Sequence, residues 1–145
     1  WSRGLGDVYK RQGYRIVCTP QSKVYHVGGG TLNSESPRKT FLNFRNNLLM
    51  LYKNLPNGYL EPVLRLRTVL DYVAAFKFLL EGNWQNAKAI YLARKEFHLL
   101  IPEYKAKREE NQRATILKEI PELKSYSLLW QYYFRGKKHY NELPQ

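Results

Sequence analysis

Residues 37–143 are punctuated as a series of helices, and that punctuation constrains the fold more than any other feature of the chain. Phe41, Phe44, Leu48, Leu51, Tyr52 and Leu55 recur at three- and four-residue spacing, which gives one helix a single apolar face. Ser36-Pro37 supplies its start, with Ser at the N-cap and Pro at the first helical position. "LPNGY" (55–59) supplies its stop. A second helix is expected over about 61–81, closed by Gly82. Asn83 is placed to cap a third, over about 84–100, which Pro102 breaks or restarts. The charged run "YKAKREENQRATILKEI" (104–120) reads as a helix in solvent that ends at Pro121. "SLLWQYYFRG" (127–136) reads as a short aromatic helix, and the remaining tail as irregular.

The segment before these helices has a different character. "YRIVCT" (14–19) and "SKVYHV" (22–27) are rich in β-branched and aromatic residues and read as two short strands around Pro20-Gln21. "GGGTLNSESP" (28–37) is a loop by composition. The expected class is therefore mostly α, with two short β-strands followed by four or five helices. Two strands alone are marginal in water, so they call for a sheet that the sequence does not supply. The stretch "WSRGLGDVYKRQ" (1–12) carries neither periodicity, and "GLGDVYKRQ" resembles a translated sequencing-library linker. It is set apart as a non-native scar. The expected organisation is 1–12 as scar, 13–36 as the end of a catalytic core, and 37–145 as a helical region.

Composition narrows the function classes. A net charge of +12 favours an anionic partner: phosphate groups, nucleic acid or an acidic membrane surface. One cysteine, Cys18, excludes a disulfide framework or a Cys-rich zinc site within the chain. The longest apolar run, "VLDYVAAFKFLL" (69–80), is interrupted by Asp71 and Lys77 and is shorter than the ~20 residues a membrane span needs. It leaves an interfacial helix open.

Catalytic vocabulary is sparse. There are two Asp, Asp7 and Asp71, no Asp-x-Asp pair, no His-Glu-x-x-His and no Gly-x-Ser-x-Gly. "GGGT" lacks the Lys of a P-loop. His98 and His139 have no evident partner residues in the sequence, and Cys18 reads as a small core residue. His26 stands out, because a His at a strand end beside a glycine loop can serve a metal or a phosphate. A structural His is the alternative. The basic-aromatic stretches "PRKTFLNFRNN" and "FRGKKHY" could suit nucleic acid, but they carry no nucleic-acid fingerprint and their aromatics follow helical spacing.

The stretch "GYRIVCTPQSKVYHVGGGT…PRKTFLNFRNNLLMLYKNLP" resembles the C-terminal end of family 2 glycosyltransferases of the GT-A fold. These include the rhamnosyltransferase-like enzymes of bacterial surface polysaccharide synthesis. The likeness extends over 13–143, with "EGNW" and "LLWQYYFRGKK" similar to the helical tail of Bacteroidetes-type members. It implies an inverting transfer of sugar from a nucleotide-sugar donor to a glycan or lipid-linked acceptor hydroxyl. A base deprotonates the hydroxyl, which displaces the diphosphate in one step. His26 matches the His of the family's "HxGG" segment, which implies a place beside a divalent metal (Mg or Mn) and the leaving diphosphate. Gly28, Gly29 and Gly30 would let the loop pass close to the donor. Arg45 and Asn46 match the family's "RN" pair, where Arg45 either faces the diphosphate or holds its helix against the core.

The family's acidic pair, its base and its Asp-x-Asp motif have no counterpart here. The 145-residue chain alone is thus predicted to be inactive, with the base expected upstream. The resemblance also implies a cytoplasmic protein peripheral to the inner membrane, with an anionic membrane surface as a partner and nucleic acid disfavoured. The alternative is a non-enzymatic basic helical module that binds anionic membrane or nucleic acid.

Overall fold

The computed structural model describes residues 10–15, 17, 19–25, 36–116, 126 and 128–144. Three long helices form its body: α1 (Pro37–Asn54), α2 (Asn57–Leu80) and α3 (Trp84–Arg113). A short helix α4 (Leu128–Tyr133) and a 3-10 turn (Tyr140–Glu142) follow.

No strand occurs among the described residues, which corrects the expected strand pair. The described part of 14–25 is irregular, with a turn at Pro20-Gln21 closed by Ser22 N–H donating to the Thr19 carbonyl at 3.0 Å. Val24 and Tyr25 are exposed. The composition of these segments suits a pleated, half-buried surface. A β-ladder, however, needs a neighbouring strand to take its backbone groups, and none is present among the described residues.

The helix punctuation of the sequence is reproduced in part. Pro37 opens α1 in its first turn, although Ser36 makes no side-chain capping bond. Asn83 caps α3, with its side chain accepting from Asn86 N–H at 3.3 Å. Gly82 takes φ +73° in the α2–α3 turn, a conformation that strains any residue with a Cβ.

Three boundaries differ. The charged run expected to be a solvent helix ending at Pro121 is instead the last part of α3, which stops at Arg113 and packs Arg108, Asn111 and Gln112 against the α1–α2 turn. α2 begins at Asn57 rather than near Glu61, with Tyr59 and Leu60 N–H groups donating to the Pro56 carbonyl. First-turn amides lack intrahelical partners in any case, so Asn57-Gly58 enters the helix at little cost. α3 runs as 30 residues straight through Pro102. Pro102 and His98, whose carbonyl the missing N–H leaves without its intrahelical donor, are both exposed residues. Buried Phe97 before it and buried Arg108 after it hold both halves.

α3 is the spine. Pairs between α1 and α3 advance in the same direction (Thr40 with Asn86, Arg45 with Glu96, Asn54 with Asn111), so these helices run parallel. α2 returns antiparallel, pairing Asn57 with Arg108 and Asp71 with Arg94. The core is Leu48, Leu49 and Phe97, with Tyr52, Leu64 and Tyr104 packed around them. Ala87, Ala89 and Ala93 are buried along α3, and residues this small let neighbouring helices approach closely. Near its C-terminal end α3 grips the α1–α2 turn. Arg108 donates to the Tyr52 carbonyl and to Asn57 Oδ1, and Gln112 Nε2 to the Leu55 carbonyl at 3.2 Å.

Candidate functional site

Of the six site residues expected from the sequence, His26, Gly28, Gly29 and Gly30 lie outside the described residues. Arg45 and Asn46 sit side by side on α1, and their geometry is structural. Arg45 Nη1 donates to Glu96 Oε1 of α3 at 2.7 Å. Its Nε and Nη2 donate to Asn46 Oδ1 at 3.1 and 3.0 Å. The guanidinium also lies over the Phe41 ring, 5.3 Å from its centroid. These contacts occupy Arg45 along the α1–α3 seam. They agree with the second role the sequence left open, that of holding the helix in place.

Two open clefts flank α1. One, of about 370 Å³, is bordered by Asn46, Lys53, Asn54 and Tyr104. The other, of about 360 Å³, lies at the start of α1 between Pro37, Phe41, Trp84 and Lys88. The Lys88 ammonium is 5.9 Å from the Trp84 ring centroid. Neither cleft is lined by a carboxylate or a histidine. Their titratable lining groups are Lys53 and Tyr104 in the first and Lys88 in the second.

The most unusual chemistry in the described helices is one that sequence reasoning did not identify as a site. Asp71, in the middle of α2, is 1% exposed. Arg94 Nη1 donates to its Oδ2 at 2.7 Å and Arg94 Nη2 donates to Thr68 Oγ1 at 2.6 Å. Arg67 Nε stands 2.7 Å from Asp71 Oδ1 as an ion pair without hydrogen-bond alignment. Burial pushes the Asp71 carboxyl up from its ordinary value, against the pull of Arg67 and Arg94. Such a group resembles a tuned acid, but it lines neither cleft and is sealed from solvent. Its place is in the α2–α3 interface. The available signal was Asp71 itself, a lone acid within an apolar run.

Arg108 is a second buried charge. Burial lowers its guanidinium from the usual arginine value, and it too serves the scaffold. Among the described residues no three His, Cys, Asp or Glu side chains come together as a metal cage. His26, where the resemblance implies an Mg or Mn ion, lies outside the described residues. Nor is any helix among the described residues long and apolar enough to cross a membrane. No protein-family model, curated protein or solved structure matches the chain.

Proposed function

We propose that this chain is the C-terminal part of an inverting glycosyltransferase. The enzyme would move a sugar from a nucleotide-sugar to a glycan or lipid-linked acceptor in cell-surface polysaccharide synthesis. The residue-level likeness over 13–56 motivates this reading. One observation fits it best. α1, which opens at Pro37 C-terminal to the "HVGGG" segment of the sequence, is pinned to α3 by Thr40 donating to Asn86 Oδ1 at 2.6 Å and by the Arg45–Glu96 pair. The loop residues that would face the donor are therefore followed by a fixed base. The helices act as a platform, and the reaction is carried by His26, the glycine loop and residues upstream. A divalent cation enters this reading only through His26. The protein would work at the cytoplasmic side of the inner membrane, peripherally bound.

The test is release of nucleoside diphosphate from a panel of UDP-, GDP- and dTDP-sugars. It compares the 145-residue chain with a protein extended by the genomic sequence upstream of Gly13. Turnover is expected only in the extended protein. His26→Ala should lower it about a hundredfold, the usual scale for losing one stabiliser of developing charge. Near-normal activity in that variant removes His26 from the site. No turnover by the extended protein removes the glycosyltransferase reading and leaves the non-enzymatic membrane module. That second reading has its own support in the outward face of α2.

A further inference from the structure

α2 exposes much of its apolar surface. Its inward side carries Arg67, Thr68 and Asp71 beside Leu64, Ala74 and Phe78, while most of the large side chains on its solvent side are apolar. Leu66, Val69, Val73, Phe76 and Leu80 follow one another at alternating three- and four-residue steps, and each is 60–73% exposed. At 100° per residue these five form one stripe, and exposed Leu70, Tyr72 and Leu79 widen it to about half of the helix circumference. With about 100 Å² per side chain, the face presents roughly 800 Å² of apolar surface, more than the largest patch on a typical monomer.

Three observations select what covers this face. Leu70, Tyr72 and Leu79 make it wider than the two apolar positions per heptad of a coiled-coil seam, with Arg65 and Lys77 set among them. A second copy is disfavoured because each chain carries +12, and pairing would bring like charges together. Exposed Arg65 and Lys77 border the stripe, while its two exposed acids, Glu61 and Glu81, are each paired to one of these cations. Trp84 stands exposed just beyond the Gly82 turn. A broad, mostly apolar face that carries Tyr72, Phe76 and two cations, on a strongly cationic body, suits an anionic lipid interface.

We infer that α2 docks lengthwise on an anionic membrane through its Leu66–Leu80 stripe. This deepens the peripheral placement proposed above, but it depends on α2 alone and stands whether or not the chain belongs to a sugar transferase. Exposed side chains enter the headgroup boundary, while the Asp71–Arg94 pair stays on the protein side and joins α2 to the rest.

Flotation with liposomes of 70% phosphatidylcholine and 30% phosphatidylglycerol, against pure phosphatidylcholine, tests this without any activity measurement. The 145-residue chain should bind the anionic vesicles at least tenfold more tightly. Val73→Glu and Phe76→Glu should each weaken binding tenfold or more while leaving helicity and melting temperature unchanged. Leu66→Ser with Leu80→Ser, which adds no charge, should also weaken binding and keeps the test open if a Glu variant fails to fold. Wild-type binding that all these variants retain, or no binding to anionic vesicles, overturns the inference. A dimer in sedimentation equilibrium that the same substitutions dissolve would assign the face to a second copy and would also overturn it.

Discussion

Replacing Arg94 by Met tests how the buried charges hold the scaffold. Methionine keeps most of the length of the side chain and removes its charge. The Asp71 carboxylate, 1% exposed, then loses its one hydrogen bond from Arg94 and keeps only Arg67, whose Nε is not aligned to donate. Breaking a buried pair by removing one partner costs about 3–5 kcal/mol, a large share of the 5–15 kcal/mol that is typical for a domain. The deficit should depend on pH. Burial already raises folded Asp71 above its ordinary 3.8, and the variant raises it further by losing one of the groups that pulled it down. Between 3.8 and the raised value, the folded state holds a proton that the unfolded chain has released. Stability therefore falls as pH rises through that window, and it recovers as pH is lowered. The deficit of the variant should be larger at pH 7 than in mild acid, by up to about 1.4 kcal/mol for each unit of additional shift. Other carboxylates titrate in both proteins and cancel in the difference. Urea unfolding followed by circular dichroism at both pH values measures it. A deficit below about 1 kcal/mol at pH 7, or equal deficits at both pH values, would refute the reasoning. In an Asp71→Asn background the pH dependence of the Arg94 substitution should vanish.

Other substitutions have separate expected outcomes. Phe97→Ala empties the centre of the core, where Phe97 is 2% exposed, and should cost about 3–5 kcal/mol in denaturant unfolding. Asn83→Ala removes the side-chain cap of α3 and should cost about 1 kcal/mol, while Asn83→Gly should cost only a few tenths. Arg45→Ala breaks a partly exposed pair with Glu96, and a loss of about 1 kcal/mol or less is expected, decreasing in high salt.

The sequence announces helix boundaries where local chemistry alone decides them. Pro37 opens α1, and the Gly82-Asn83 pair separates α2 from α3, because backbone freedom and capping act over a few residues. Pro102 misleads because its cost depends on whether the freed carbonyl meets water and whether the flanking turns are anchored, and both are tertiary facts. Residues 14–25 mislead for a related reason: strand propensity describes a surface that fits a sheet, without supplying the sheet. Asp71 inverts the usual reading of an amphipathic helix. A lone acid in an apolar run is expected to point outward, yet here Arg94, 23 positions away, draws it inward. Among the candidate site residues, the sequence placed Arg45 beside Asn46, but Glu96 as the partner of Arg45 could come only from the packing of α1 on α3.

The dependence of α1 on α3 has a consequence for synthesis. The bonds that fix α1 span 46 to 58 positions, from Thr40–Asn86 to the Asn111 amide on the Lys53 carbonyl. A ribosome adding 5–20 residues per second needs about 3–12 s to proceed from the end of α1 to the end of α3. Through that interval α1 and α2 have left the ribosome, or are leaving it, without their spine. The apolar side of α1 has nothing to close on, and the acid of α2 still lacks the arginine that will neutralise it. The nascent chain is therefore a candidate client for a holding chaperone until α3 emerges, and a stop codon near residue 90 would yield two helices with no partner to order them.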